Sequence, residues 1–287
     1  MSTDPPGDPV VTRFAPSPTG YLHLGHVRSA FAGWQAARAA GGRFLVRLED
    51  IDRTRCRDEY ADAILEDLAW LGLDWDGKVR RQSEHFADYQ AALERLDAAG
   101  LLYPCLCTRR EIQAEIARAG VAPQGEVGAC YPGICRRLGA AERAARRAGA
   151  ADYALRLDVG AALERTGPLE WFEDAERVAA DPAALGDVVL ARKEVPTSYH
   201  LAVTVDDALQ GVNLVTRGAD LFAATHIHRL LQALLGLPIP GYRHHALLTD
   251  AGGRRLAKRD GALAVRAMRQ AGMTPAAVLA AAQSSGR

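Results

Sequence analysis

Residues 10–48 limit the fold more than any other stretch. Val10, Val11 and Phe14 form a short apolar run of strand type, and Pro16 and Pro18 hold Ala15 and Ser17 out of the helical region. The chain must therefore leave the strand in an extended bend. Helical spacing takes over near His26, because Val27, Ala30, Phe31, Trp34 and Ala37 share one face. A second strand, Arg43 to Leu48, ends in Glu49-Asp50-Ile51-Asp52-Arg53-Thr54. Strand, loop, helix and strand in this order predict a right-handed βαβ unit, hence a parallel sheet and an α/β fold. Ligands of such sheets gather at the carboxyl ends of the strands, where the proline loop and the acidic run both fall. His23 and His26 stand at the helix mouth, where unpaired N–H groups and the helix dipole favour an anion.

With 287 residues, 48% of them hydrophobic, the chain can bury a core of one large domain or two modest ones. Formal net charge is zero, so contact with nucleic acid would need a local basic surface. The N-terminus, with Asp4, Pro5, Pro6 and Asp8, lacks the pattern of a leader, and no apolar run approaches the roughly 18 residues of a membrane span. A cytoplasmic protein without membrane contact is expected. Of five cysteines, four fall between Cys105 and Cys135, a spacing that favours a metal over disulfides in a chain this large.

The run Arg13-Phe14-Ala15-Pro16-Ser17-Pro18-Thr19-Gly20 followed by His23-Leu24-Gly25-His26 resembles the HIGH element of class I aminoacyl-tRNA synthetases in their glutamyl and glutaminyl branch. The resemblance implies a Rossmann-like catalytic domain in which His23 and His26 meet the phosphates of ATP and Gly25 lets the adenosine approach the backbone. Arg13, Phe14, Ala15, Pro16 and Ser17 would then border the amino acid, and Glu49 would face its amino group. Further along, Gly252-Gly253-Arg254-Arg255-Leu256-Ala257-Lys258-Arg259 resembles the second class I signature, KMSKS. Arg255 replaces its first lysine and Ala257 its serine, but the phosphate-contacting lysine remains as Lys258. Tyr199 and Arg217 match the tyrosine and arginine that line the family's amino-acid pocket. Two guanidinium groups, Arg13 and Arg217, converging on a dicarboxylate would explain selection of glutamate over glutamine.

Cys105-Leu106-Cys107 and Cys130-Tyr131-Pro132-Gly133-Ile134-Cys135 supply two ligand pairs that a hairpin can close into a tetrahedral zinc site. The residues alone leave the fourth ligand open between Cys130 and Tyr131. This region resembles the glutamyl-queuosine tRNA(Asp) synthetases, the truncated branch of the same family, and that resemblance implies Cys105, Cys107, Tyr131 and Cys135 around one structural zinc ion. Arg136 to Arg147 reads equally as a basic helix facing RNA or as a solvated helix.

Helices are expected over Asp58–Leu71, Ser83–Ala99, Thr108–Arg118, Phe222–Leu235 and Thr274–Ala282. Strands are expected over Tyr153–Asp158, Gly186–Ala191 and Tyr242–Leu248, and in the apolar runs that begin at Tyr199 and Gly211. His226 and His228 read as surface or packed helix residues. Roughly 26 residues follow Gly261, so the resemblance implies no anticodon-binding domain. The expected division is a first catalytic half (1–100), an inserted zinc-bearing, acceptor-like subdomain (101–185), a second catalytic half (186–250), and the lysine loop with a short helical part (251–287). The activity implied is ATP- and Mg²⁺-dependent activation of L-glutamate, followed by transfer to queuosine in the anticodon arm of tRNA(Asp) by a monomer. The competing readings are a truncated glutamyl-tRNA synthetase that charges a 3′ end, and a non-catalytic zinc and RNA-binding paralogue.

Overall fold

The computed structural model of the chain describes residues 9–108, 110–112, 124–125, 128–129, 131–149, 153–192, 195–248 and 264–284. They form two compact units, the first from residues 1–84, 211–221 and 240–287 and the second from residues 85–210 and 222–239.

In the first unit the expected βαβ element is present. The strand Val11–Phe14 runs into the helix Leu24–Ala39, which returns the chain to the strand Arg43–Leu48, parallel to the first with Val11 opposite Arg43 and Phe14 opposite Val46. Arg80–Arg81 extends this sheet in parallel, and Leu214–Gly218 pairs in parallel with Gly241–His245. The Val11 amide donates to Asn213 Oδ1 at 2.8 Å and the Asn213 amide to the Val11 carbonyl at 3.1 Å, which ties the first strand to the chain entering Leu214. All four residues of the first strand are buried, as a parallel sheet covered on both faces requires.

The first helix buries Val27, Ala30, Gly33 and Ala37, while Phe31 and Trp34 pack at the margin of the same core. Gly33 lets this helix approach the sheet closely: a Cβ there would lie 2.9 Å from Thr216 Oγ1 and 3.2 Å from Phe44 Cε2. After the helix, Gly41 adopts φ 62° and Gly42 passes so close to Val10 that a Cβ would fall 2.0 Å from its carbonyl oxygen. One glycine turns the chain and the other starts the strand pairing.

The helix Asp58–Trp70 turns Ala61, Ile64 and Leu68 inward, and Val265, Met268, Val278 and Ala282 of the two last helices join the same core. Asp67 is 3% exposed in this helix, and its Oδ2 is buried with no hydrogen-bond partner among the described residues. Burial first, then Glu66, raises its carboxyl from the usual 3.8 to about 6. A carboxyl with a higher pKa folded than unfolded holds its proton more tightly in the fold, so Asp67 destabilises the protein as pH rises. The deficit is absent below about pH 4 and complete above about pH 6, where a shift of about two units corresponds to about 3 kcal/mol. Asp67→Asn is therefore expected to raise Tm at pH 8 and to leave it nearly unchanged at pH 4, as thermal melts at the two pH values would show.

The second unit contains the helices Phe86–Ala98, Tyr199–Leu209 and Ala224–Leu235. Beside them are an antiparallel sheet in the order Val189–Ala191, Ala154–Leu157, Leu102–Cys105, and the hairpin Glu170–Glu173 with Glu176–Ala179. The run from Tyr199 to Asp207, expected as a strand, is helical. Ser198 caps it by accepting from the Leu201 amide, and every residue from Leu201 to Asp207 is buried. A helix buried on all sides loses its amphipathic period, and the β-branched Val203, Thr204 and Val205 then imitate a core strand. Burial of Asp206 is offset by the Tyr89 hydroxyl, which donates to Oδ2 at 2.9 Å. The helix predicted from Thr108 opens as expected: Thr108 Oγ1 accepts from the Glu111 amide while Glu111 Oε2 accepts from the Thr108 amide. Residues 113–118 of that prediction lie outside the described residues.

Candidate functional site

In the first unit His23 is the N-cap of the first helix, with extended backbone at φ −127° and ψ 174°. Its Nδ1 accepts from the Gly25 amide at 3.1 Å, and its own amide donates to His26 Nδ1 at 3.2 Å. The two rings stack with centroids 3.8 Å apart. Because each Nδ1 is an acceptor, each neutral ring carries its proton on Nε2. Gly25 makes room for this cap, since a Cβ would lie 3.0 Å from His23 Cε1. Ser29 Oγ donates to the Gly25 carbonyl at 3.2 Å and lies 3.0 Å from His245 Nε2, which brings a third imidazole to the same helix. Burial lowers the basicity of His245 despite its contact with the Ala246 carbonyl.

The proline loop is held along the second strand's end: the Pro16 carbonyl accepts from the Glu49 amide and the Pro18 carbonyl from the Arg57 amide, both at 3.0 Å. Pro16 and Phe14 are buried, Ala15 half-buried and Ser17 exposed. Glu49 is 8% exposed and pairs at 3.3 Å with Arg47, which is fully buried. Just beyond, the Asp52 carboxylate accepts from Thr54 and Arg55, which hold its pKa down to about 2 and brace the turn.

Arg13 and Arg217 are 4% and 5% exposed on strands of this unit. Arg13 Nη1 donates to the carbonyl of Thr216 at 3.3 Å, so the guanidinium of one reaches the residue that precedes the other. Arg217 Nε donates to His244 Nε2 at 3.0 Å, and its guanidinium lies 5.5 Å from the Tyr242 ring centre. Lys258 lies outside the described residues. The described chain resumes at Ala264, which bridges His23, and the Val265 amide donates to the Leu22 carbonyl at 2.8 Å.

In the second unit Tyr199 opens its helix, edge-on to His200 and His228. His228 is buried and lies 3.2 Å from His200, so of the two expected readings it is the packed one. Cys105, Cys107 and Cys135 bring their sulfurs within 4.8 Å of one another. The Tyr131 hydroxyl lies 3.4 and 3.5 Å from the first two sulfurs and accepts from the Cys135 amide at 2.8 Å. Arg156 covers the Tyr131 ring at 3.8 Å. Burial opposes ionisation of Cys105, but hydrogen bonds with Tyr131 and Arg156 outweigh it and hold that thiol below its ordinary pKa; burial pushes Cys107 up to about 12. Three unbridged thiols, two buried and one half-buried, converging with a half-buried phenol oxygen fit the donor set of a zinc ion, whose charge would compensate their desolvation. Cys130 lies outside the described residues.

A sequence model described as "tRNA synthetases class I (E and Q), catalytic domain" matches residues 9–286. The chain belongs to this family. Its relatives named glutamyl-Q tRNA(Asp) synthetase include that of Rhodobacter capsulatus, 51% identical over 273 residues that cover 93% of this chain and 97% of that one. Another, from Nocardia farcinica, is 48% identical over 93% of this chain and 82% of the relative. Among solved structures, the glutamate tRNA ligase of Elizabethkingia meningosepticum in complex with its amino acid superposes with a TM-score of 0.73 at 27% identity over 88% of this chain. Glutamate-tRNA synthetase of Elizabethkingia anophelis gives a TM-score of 0.75 at the same identity and coverage. The chain spans 53% of the length of each of these two solved chains. The α/β fold with a parallel sheet is that of a class I tRNA synthetase catalytic domain, as expected.

Several buried polar residues of each unit carry no signal in the sequence. Arg47 is one of many arginines until its burial against Glu49 is seen. In the second unit, the buried Asp187 accepts from Tyr103 Oη at 2.5 Å, Arg136 Nη1 at 3.0 Å and the Val159 amide at 3.1 Å. Arg136, counted in sequence among residues of a basic face, is thus also a partner of a buried acid beside the thiols.

Proposed function

We propose that the chain activates L-glutamate with ATP and transfers it to the queuosine base at the wobble position of tRNA(Asp). The reading is carried by Arg13 and Arg217, two buried guanidiniums linked through Thr216, in a chain 51% identical to a glutamyl-Q tRNA(Asp) synthetase. Arg13 and Arg217 would grip the side-chain carboxylate and Glu49 the ammonium group, which leaves the α-carboxylate as nucleophile. An oxygen of that carboxylate attacks the α-phosphorus of ATP, the bond to pyrophosphate breaks, and glutamyl-adenylate forms. A hydroxyl of the queuosine cyclopentene-diol then attacks the acyl carbon, AMP departs, and an ester remains.

No protein nucleophile enters either step. His23 and His26 would donate through Nε2 to the triphosphate, joined by the Lys258 ammonium, so that N–H donors and one positive group follow charge as it moves toward the pyrophosphate. Mg²⁺ bound with ATP would supply further neutralisation of phosphate charge. Cys105, Cys107, Tyr131 and Cys135 would hold one structural zinc ion, a closed set without an open position. Residues 101–185 would then serve as a stiffened platform for the anticodon arm, with the remaining catalytic segments as divided above. The enzyme is read as a cytoplasmic monomer; no helix among the described residues is long and apolar enough to cross a membrane.

Glutamate-dependent exchange of pyrophosphate into ATP tests the first step. Mapping radiolabelled glutamate on digested tRNA tests the second: label on the queuosine-bearing anticodon fragment is expected. Label only on the 3′ terminal adenosine would replace this reading with that of a truncated tRNA-charging enzyme.

A further inference from the structure

The contact between Arg217 and His244 fixes more than a distance. A guanidinium can only donate hydrogen bonds, so the Arg217 Nε–H···Nε2 bond at 3.0 Å requires a lone pair on His244 Nε2. His244 must therefore be neutral, with its proton on Nδ1. This tautomer is opposite to the one that the N-cap bonds impose on His23 and His26.

The register explains how the two side chains meet. Arg217 and His244 are direct partners in the parallel ladder of Leu214–Gly218 with Gly241–His245. Tyr242, two residues before His244, projects from the same face of that strand. Its ring is parallel to the imidazole within 1°, and the Arg217 guanidinium lies 5.5 Å from the ring centre. One strand thus offers Arg217 both an acceptor and an aromatic surface. An acceptor at Nε sets the plane in which both Nη groups lie, and that plane decides whether they meet a carboxylate as a fork.

We propose that His244 is a positioning residue for glutamate: its neutral, Nδ1-protonated imidazole holds the Arg217 guanidinium in the plane that receives the side-chain carboxylate. The inference rests on the glutamate reading of Arg13 and Arg217. His244 need not touch the substrate; it acts through the arginine.

Pyrophosphate exchange with varied glutamate tests the idea. His244→Leu is expected to raise the glutamate KM by on the order of ten- to a hundredfold, the effect of losing a hydrogen bond to a charged group, with the ATP KM unchanged. His244→Gln, whose Oε1 keeps an acceptor at similar reach, should recover most of the loss. Equal damage in both variants would overturn the proposal in favour of simple packing, and so would a glutamate KM within twofold of wild type in His244→Leu. Nitrogen-15 spectra of histidine-labelled wild-type protein give a check that needs no stable variant: His244 Nε2 should resonate as an unprotonated nitrogen near pH 7, and a protonated Nε2 would overturn the assignment. Arg217→Leu separates the two levels. If it too leaves the glutamate KM unchanged, the pocket reading itself fails; if it is impaired while His244→Leu is not, only the positioning role fails.

Discussion

Replacing Arg13 with leucine is expected to raise the glutamate KM in pyrophosphate exchange by roughly 30-fold to several thousandfold, the range for removing one partner of a buried charge pair. The size of the effect follows from where the guanidinium lies. Arg13 is 4% exposed, so little water stands ready to replace it. Its loss would also leave the Thr216 carbonyl without the donor that links it to the neighbouring strand. A glutamate carboxylate entering there would be desolvated against Arg217 alone. Leucine is chosen because it fills much of the arginine stem and keeps the apolar surroundings of the first strand, so the melting temperature should change far less than the KM. Arg13→Lys, which restores the charge without the planar fork, should recover only part of the loss. A glutamate KM unaltered in Arg13→Leu, in protein that melts normally, would remove the guanidinium pair from the substrate pocket.

What the sequence disclosed and what it withheld divide along the range of the interactions. The proline bend, the helix face of Val27, Ala30 and Ala37, and the parallel return through Arg43–Leu48 depend on neighbours within a few residues, so periodicity and backbone restriction suffice to find them. The two imidazoles of the cap are local in the same way, closed over four residues. Gly33 is different: its importance is set by Thr216, distant in the chain, against which a side chain would collide. Arg47 and Asp187 likewise become distinctive only through burial beside a partner. His244 adjoins another histidine and reads as one of a pair, yet His244 contacts Arg217 while His245 contacts Ser29. The error at Tyr199 has the complementary cause. There the local pattern of β-branched residues is that of a core strand, and the helix shows only in the fold, where Ser198 caps a segment buried from Leu201 to Asp207.

The candidate metal site at Cys105, Cys107 and Cys135 carries the second large effect. Purified protein is expected to contain one zinc ion per chain, and a strong chelator should lower the melting temperature of the second unit by about 10 °C. That figure follows from linkage: free zinc a thousandfold above its Kd stabilises the folded form by about 4 kcal/mol, and each kcal/mol moves Tm by about 2–4 °C in a domain of this size. The local packing shows why the ion would matter so much. The buried cluster here is Tyr103, Cys105 and Cys135, with Cys107, Tyr131, Leu138 and Ala154 packed around it, so thiols make up much of the apolar contact. Without an ion, the half-buried Cys107 thiol, pushed up to about 12 by desolvation, stays protonated and contributes little beyond weak S–H contacts. With an ion bound, the chain around 105–107 is tied to that around 131–135. Cys135→Ser should abolish the chelator-sensitive part of the melt, whereas Tyr131→Phe should retain three sulfur ligands and lose only part of the affinity. Cobalt substitution distinguishes them through the thiolate charge-transfer band, which should weaken in Cys135→Ser and persist in Tyr131→Phe. Protein free of metal by elemental analysis, with identical melts in the presence and absence of chelator, would leave the thiols as a reduced packing cluster.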